Sequence, residues 1–396
     1  MANLVKRILL LDTGNEWGGG TNSMIELLKR IDRTRFTVTA CFYHNYRHGD
    51  STLREALAAI DIPLLVLPTR HQSWWVKLAK ELARGLLFWH KSWRAAAVFR
   101  VEIFWRIRPR ARALAELLRK ENYTLLYMNN QPASNLEGYL AAEKAGVSVV
   151  QHCRIEPKLN AIERDAVNRV ARRVICVSQG VKDALLRQGV RPALCQVVHN
   201  GIDTRQPFPE PQPLPGVALD TPVIGTIGSL IKRKSVDHLL RAVARLPQDL
   251  TPHLLIVGEG AEAAALRQLA SELGLASRVT FTGFQKQPLP WLAVMDVFVL
   301  ASSSEGLPRV ILEAMLLEKP VIASRIVGSS EVVVHGETGY LYDYGDIDAL
   351  AEFLADLLRN PAKRQSFGAA GRRRASADFS IEAYVAGVTK ILEAAA

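Results

Sequence analysis

Cysteine is scarce, with four in 396 residues, at positions 41, 153, 176 and 195. They form no C-x-x-C pair and have no histidine companion at ligand spacing, so neither a zinc site nor a disulfide framework is expected; reduced thiols are. Long apolar runs are also missing. No stretch of about 18 apolar residues is free of charge, which excludes a spanning helix. The burst Ile8 to Leu11 before Asp12 is too short for the core of a signal peptide and reads as a buried first strand. Neither G-x-x-x-x-G-K-[ST] nor G-x-S-x-G occurs, so P-loop and α/β-hydrolase chemistry drop out. Acidic residues are outnumbered, 39 against 50 basic, for a net charge of +11. The excess is local: Arg70 to Lys120 holds thirteen Lys/Arg and three Glu, leaving about one unit for the rest of the chain. With 48% apolar and 22% charged residues, the chain has ordinary globular usage, which argues against disorder, collagen and coiled coil. Its length suits two or three folding units.

Strand-like runs alternate with helix-like stretches, an order that implies parallel strands with helical crossovers. KRILLLD, FTVTACFY, PLLVLP, TLLYMNN, SVVQH and RVICVS place a doubly wound α/β domain over 1–206. Six prolines in 207–222 exclude a continuous helix or central strand there, marking a linker. Alternation restarts with PVIGTIGS and runs through HLLIVGEG, RVTFTGF, VFVLASS, KPVIAS and GYLYD, a second α/β domain over 223–375. The amphipathic tail 376–396 has no strand after it and is free to fold back on the first domain. Two facing lobes of this kind create an interdomain cleft, and open parallel sheets bind ligands beyond the carboxyl ends of their strands.

The most informative segment is SSSEGLPRVILEAMLLEKPVIAS, from Ser302. A strand empties into a small polar loop; Gly306 frees the backbone, Pro308 suits a first helical position, and Arg309 to Leu317 reads as helix. Unpaired amides at that start favour an anion such as a diphosphate. Glu305 and Glu313, eight residues apart, can face one ligand at different depths, and ionised carboxylates accept hydrogen bonds from vicinal hydroxyls. In GTIGSLIKRKSVD, Arg233 and Lys234 precede a helix and can neutralise a phosphate pair. EWGGGT, from Glu16, lets a ligand approach the backbone at Gly19 and Gly20. Gly258, Gly260 and Ala263 match G-x-G-x-x-A, but no acidic residue closes the next strand, so nicotinamide binding is weakly supported.

Taken in order along nearly the whole chain, these elements resemble the retaining glycosyltransferases of family 4, with the two-lobed GT-B fold. The resemblance rests on Gly18 to Gly20, Gln151-His152, VSQGVKDAL from Val177, VVHNGID from Val197, GSLIKRK, HLLIVGEG, Glu305-x7-Glu313 and VGSSEVVVHGETGYLY from Val327. It implies transfer of a sugar from a nucleotide diphosphate to a hydroxyl with retention and without a bound metal or cofactor. It places the donor sugar on Glu305, the ribose on Glu313, and the leaving diphosphate on Arg233 and Lys234. It puts His152 near both substrates, with Arg154 beside it. Gly19, Gly20, Gly228, Gly258, Gly306, Leu307, Pro308 and Val310 complete the implied donor site. Ser229 follows Gly228 where many members carry Arg, and Leu317-Glu318-Lys319-Pro320 lacks the usual glycine. A binding protein that has lost turnover and a nucleotide-sugar epimerase are the alternatives.

Within 70–120, Trp75, Leu78, Leu82, Leu86, Trp89, Trp93 and Ala96 recur at helical spacing, with Lys77, Lys80, Arg84, Lys91 and Arg94 opposite. The pattern is a basic amphipathic helix, or two broken near Gly85. It suits an anionic lipid surface better than nucleic acid, for which no recognition module is present. The expectation is a cytoplasmic protein, peripheral on the inner membrane face, acting on a saccharide or lipid-linked acceptor.

Overall fold

The computed structural model describes residues 5–14, 17–49, 51–68, 74–86 and 88–395. The first lobe contains β1 (Lys6–Asp12), β2 (Phe36–Phe42), a short antiparallel hairpin of β3 (Arg47–His48) and β4 (Ser51–Thr52), then β5 (Leu64–Val66), β6 (Leu125–Asn129), β7 (Ser148–Cys153), β8 (Ala171–Cys176) and β9 (Cys195–Val197). Seven of these form one parallel sheet in the order β5-β2-β1-β6-β7-β8-β9. All five residues of β6 are buried, as expected of a parallel strand covered on both faces. The second lobe contains β10 (Val223–Ile227), β11 (His253–Val257), β12 (Val279–Gly283), β13 (Val297–Leu300), β14 (Val321–Ser324) and β15 (Gly339–Tyr342). Its parallel sheet runs β12-β11-β10-β13-β14-β15. In both sheets the order reverses beside the first strand, between β1 and β6 and between β10 and β13. Those switch points open crevices at the strands' carboxyl ends.

The chain crosses between lobes twice. Asn200–Ile202 leads out and Phe379–Ile381 leads back, and the crossings pair through Ile202 N–H to Phe379 O (2.9 Å) and Ile381 N–H to Ile202 O (2.9 Å). A β-carbon on Gly201 would lie 2.6 Å from Ser380 O, so only glycine fits this hinge. The final helix, Ile381–Ala395, buries Tyr384, Val388, Ile391 and Leu392 among Leu10, Met24, Tyr127 and Val150 of the first lobe. Residues 207–215 carry no helix or strand, and Gln212 N–H reaches Pro290 O of the second lobe at 2.9 Å.

The basic insertion forms helices Trp74–Leu86 and Lys91–Glu102, a π-helical turn Ile103–Ile107, and helix Arg108–Lys120. Arg70 lies outside the described residues. The apolar stripe of the first two helices does not face the core. Trp75, Leu82, Leu86, Trp89 and Trp93 are exposed, Trp93 at 68%, whereas the Lys80 side chain is 13% exposed and paired with Glu102. The π-helical turn carries Phe104 and Trp105 outward while Ile107 enters the core.

Candidate active site

The second-lobe site grows from two loops at the carboxyl ends of β10 and β13. After β10, Gly228 takes φ +154°, and the turn Lys232–Lys234 ends at Ser235, a non-glycine held at φ +46°. That turn delivers two cations. Arg233 Nη1 donates to Glu305 Oε1 at 2.9 Å and to Ser304 O at 2.7 Å, and Lys234 Nζ donates to the same Glu305 oxygen at 2.6 Å. Glu305 is buried. Burial alone pushes its carboxyl up, but the charges of Lys234 and Arg233 outweigh it and hold Glu305 below the usual carboxylate range. A buried carboxylate thus draws two cations to one point, with Arg233 held in addition by the Ser304 carbonyl.

Helix Arg309–Leu316 follows, with Pro308 just before its first residue rather than in it. Leu307 and Val310 frame its start; the Leu307 carbonyl accepts from Asn200 Nδ2 at 3.0 Å, across the lobes. Glu313 accepts from Arg309 Nε at 3.1 Å, one turn back. Burial raises the Glu313 carboxyl, Arg309 opposes that rise, and Glu26 of the first lobe adds to it. Glu305 and Glu313 therefore answer to separate cations.

The glycines are spent on close approach. A β-carbon on Gly306 would stand 2.0 Å from Arg154 O, so this loop sits directly on the first lobe. One on Gly258 would stand 2.0 Å from Gly228 O, and one on Gly260 2.2 Å from Leu230 O. The G-x-G after β11 thus packs two loops of one sheet edge against each other, which accounts for the partial dinucleotide pattern. Gly19 and Gly20 open the first-lobe helix Gly19–Arg30; Gly19 faces open space and Gly20 meets the Arg154 stem at 3.6 Å. Glu16 lies outside the described residues.

The first-lobe face below is a polar network. Arg154 donates to Asn129 Oδ1 (2.8 Å), Asn200 Oδ1 (2.8 Å) and Tyr384 OH (3.0 Å), and Asn129 Nδ2 donates to Asp12 Oδ2 at 2.6 Å. His152 is fully buried, its Nδ1 shares a 2.6 Å hydrogen bond with Tyr127 OH, and its Nε2 has no partner among the described residues. Burial, reinforced by the Arg154 charge, lowers its pKa and keeps the ring neutral. His152 thus exposes no atom in this structure, and its expected place near both substrates rests on the family resemblance alone.

Four residues that sequence reasoning passed over join the lobes. Glu331 accepts from Gln179 N–H (2.8 Å) and Gly180 N–H (3.3 Å) at the start of first-lobe helix Gln179–Arg187, and it meets His199 Nε2 at 2.6 Å. Asn200 bonds both Arg154 and Leu307. Arg309 reaches Gly201 O at 3.4 Å as well as Glu313. His199 and Asn200 stood inside VVHNGID, and the Arg309–Glu313 spacing of four was a readable ion-pair signal.

Residues 17–206 match the family Glycosyltransferase Family 4, and residues 213–374 match Glycosyl transferases group 1. The chain belongs to glycosyltransferase family 4. The lipopolysaccharide core biosynthesis glycosyltransferase LpsE of Rhizobium meliloti is 31% identical over 53% of this family-4 chain and 61% of its own length. N-acetyl-alpha-D-glucosaminyl L-malate synthase of Bacillus anthracis is 28% identical over 69% of this chain and 76% of its own. The match to LpsE thus spans less than two thirds of that protein. Anabaena HepE in complex with UDP-glucose superposes with a TM-score of 0.78 at 23% identity, covering 98% of this chain and 99% of that one. The likeness places the fold of the family-4 chain as GT-B, two facing Rossmann-like lobes, in agreement with the strand orders above.

Proposed function

We propose that this chain is a retaining, metal-independent glycosyltransferase that moves a sugar from a nucleotide diphosphate to a hydroxyl of a saccharide or lipid-linked acceptor, in cell-surface polysaccharide, lipopolysaccharide or glycolipid assembly. The observation that carries the reading is the convergence of Arg233 and Lys234 on buried Glu305 at the β10/β13 switch point. Cleaving the anomeric C–O bond leaves negative charge on the diphosphate. Two cations fixed there, beside the start of helix Arg309–Leu316, stabilise that charge more in the transition state than in the ground state. Glu305, freed by the diphosphate from neutralising both cations, accepts hydrogen bonds from the donor sugar. The acceptor oxygen bonds the anomeric carbon, and its proton leaves with the diphosphate. Glu313 receives the ribose hydroxyls. The supports are family membership, the paired cations and the two carboxylates.

The test is product analysis with UDP-, GDP- and ADP-sugars on a lipid-linked acceptor, with Glu305→Gln alongside. The reading expects glycosylated acceptor with the anomeric configuration of the donor, unchanged by chelator, and at least a hundredfold loss in Glu305→Gln. Donor binding without transfer would leave only a binding protein; scrambled sugar stereochemistry without transfer would make it an epimerase.

The exposed aromatics of 74–105 support peripheral docking on an anionic cytoplasmic membrane face. Lys80 and Arg106 share Glu102, and Arg84 pairs with Glu81, while Lys77, Lys91, Arg94 and Arg100 have no carboxylate partner among the described residues. Each free cation contributes about 1 kcal/mol at an anionic surface. Flotation with phosphatidylglycerol vesicles is expected to carry the protein, and Trp89→Ser/Trp93→Ser to abolish it; equal flotation by both would exclude this surface.

A further inference from the structure

The hinge and the second carboxylate share one side chain. Arg309 opens helix Arg309–Leu316; its Nε donates to Glu313 Oε1 at 3.1 Å and its Nη1 to the Gly201 carbonyl at 3.4 Å. Gly201 belongs to the outgoing interlobe crossing, is clamped between Ser380 and Tyr384, and admits no larger residue. Its carbonyl is therefore a fixed point. The Arg309 and Glu313 side chains are 17% and 19% exposed and line a cavity with Ile202, Gln206, Phe208 and Leu289. Part of that wall is the hinge chain itself.

We propose that Arg309 is a positioning residue, holding Glu313 in register for a ribose diol through one nitrogen and tying that carboxylate to the interlobe hinge through another. The proposal rests on the placement of ribose on Glu313 given above. A diol donates two hydrogen bonds and needs an acceptor-only, ionised carboxylate. Glu313 does not get this from its surroundings. Burial raises its carboxyl, and Glu26, on first-lobe helix Gly19–Arg30, pushes the same way. Glu26 is itself held by Lys29 at 2.8 Å and by Arg30, which also binds Asp203 at 2.8 Å. Arg372, on the opposite wall, is engaged with Glu318 at 3.0 Å. Among the charged groups facing Glu313, Arg309 is the cation in direct contact with it. Because the same guanidinium bridges to Gly201, any shift of Glu313 toward a bound ribose is transmitted to the hinge carbonyl, and lobe closure and nucleotide binding become linked.

The test measures dissociation constants of UDP, GDP and ADP by calorimetry at pH 6, 7 and 8 for the wild type, Arg309→Gln, Arg309→Lys and Glu313→Gln, with interlobe compaction by small-angle scattering with and without nucleotide. The wild type should bind one nucleotide with little pH dependence. Arg309→Gln should weaken it about tenfold at pH 7 and more at pH 6, because the unsupported carboxyl takes up a proton as pH falls, and nucleotide-induced compaction should shrink. Arg309→Lys should restore most of the affinity and flatten the profile, which a merely structural arginine would not do. Loss of equal size at every pH, unrelieved by lysine, overturns the positioning role, as does wild-type affinity in Arg309→Gln while Glu313→Gln is weak. If Glu313→Gln binds as tightly as wild type, the ribose placement itself fails. Should Arg309→Gln not fold, the pH profile of Arg309→Lys decides, since retained charge predicts a flat one.

Discussion

Replacing Lys234 with Met probes the charge trio in both of its states. In the free protein, Glu305 keeps Arg233 at 2.9 Å but loses the 2.6 Å bond to Lys234 Nζ. Removing one partner of a buried ion pair costs about 3–5 kcal/mol when the charge is left bare. Here Arg233 remains, so about 2 kcal/mol is expected, which for a lobe of this size lowers Tm by about 4–8 °C. The pH dependence fixes the cause. In the wild type the folded-state pKa of Glu305 is below its unfolded value, so its contribution is present above the unfolded pKa and lost as pH falls through the folded one. In Lys234→Met burial gains the upper hand and the folded pKa rises, so the penalty is largest at neutral pH and is relieved by protonation. The Tm gap between the two proteins should narrow from pH 7.5 to pH 5, read by scanning calorimetry. The same variant should lose about 10²–10³-fold in kcat with a smaller change in KM, because the missing cation acts on charge that develops during bond breaking. A gap that widens toward low pH, or kcat within a few-fold of wild type, would refute the trio's role.

Three further changes follow. Gly306→Ala drives a β-carbon to 2.0 Å from Arg154 O, so the lobes must part; expected are a stability loss of about 3 kcal/mol or more and a larger radius of gyration by scattering. His152→Phe removes the 2.6 Å partner of the Tyr127 hydroxyl and should cost about 1–3 kcal/mol by denaturant unfolding. Glu318 holds φ +56° at the end of helix Arg309–Leu316, so Glu318→Gly should relieve about 1 kcal/mol of strain, partly offset by the lost pair with Arg372; a fall in Tm would show that the pair outweighs the strain.

Much of the architecture was legible because parallel strands buried on both faces are written as compact apolar runs: ILLLD, LLYMN and VFVL became β1, β6 and β13. The loops that hold Arg233, Lys234 and Glu305 were legible as short polar stretches after strands, but their meeting across a separation of 72 residues was not. Long-range partnerships were not written locally. Glu331 caps a helix some 150 residues away, and Arg309 meets a hinge carbonyl fixed by the return crossing, so neither contact has a periodic signature. The burial of His152 against Tyr127 was not legible, because a strand-end histidine looks alike whichever way it points. The stripe at Trp75, Leu82 and Trp93 showed its period but not its direction; a core-facing and a solvent-facing stripe share one pattern, and only Lys80 turning inward to Glu102 separates them. The glycine missing at Glu318 is answered by the backbone, which takes the left-handed conformation without it.

The most direct measurement is a crystal structure with the nucleoside diphosphate that binds tightest. The account predicts diphosphate oxygens within about 2.7–3.2 Å of Arg233 and Lys234, a ribose diol on Glu313, and Glu305 turned from its cations toward the sugar position. A diphosphate bound outside the crevice at β10 and β13, with the Glu305 trio still closed, would contradict it.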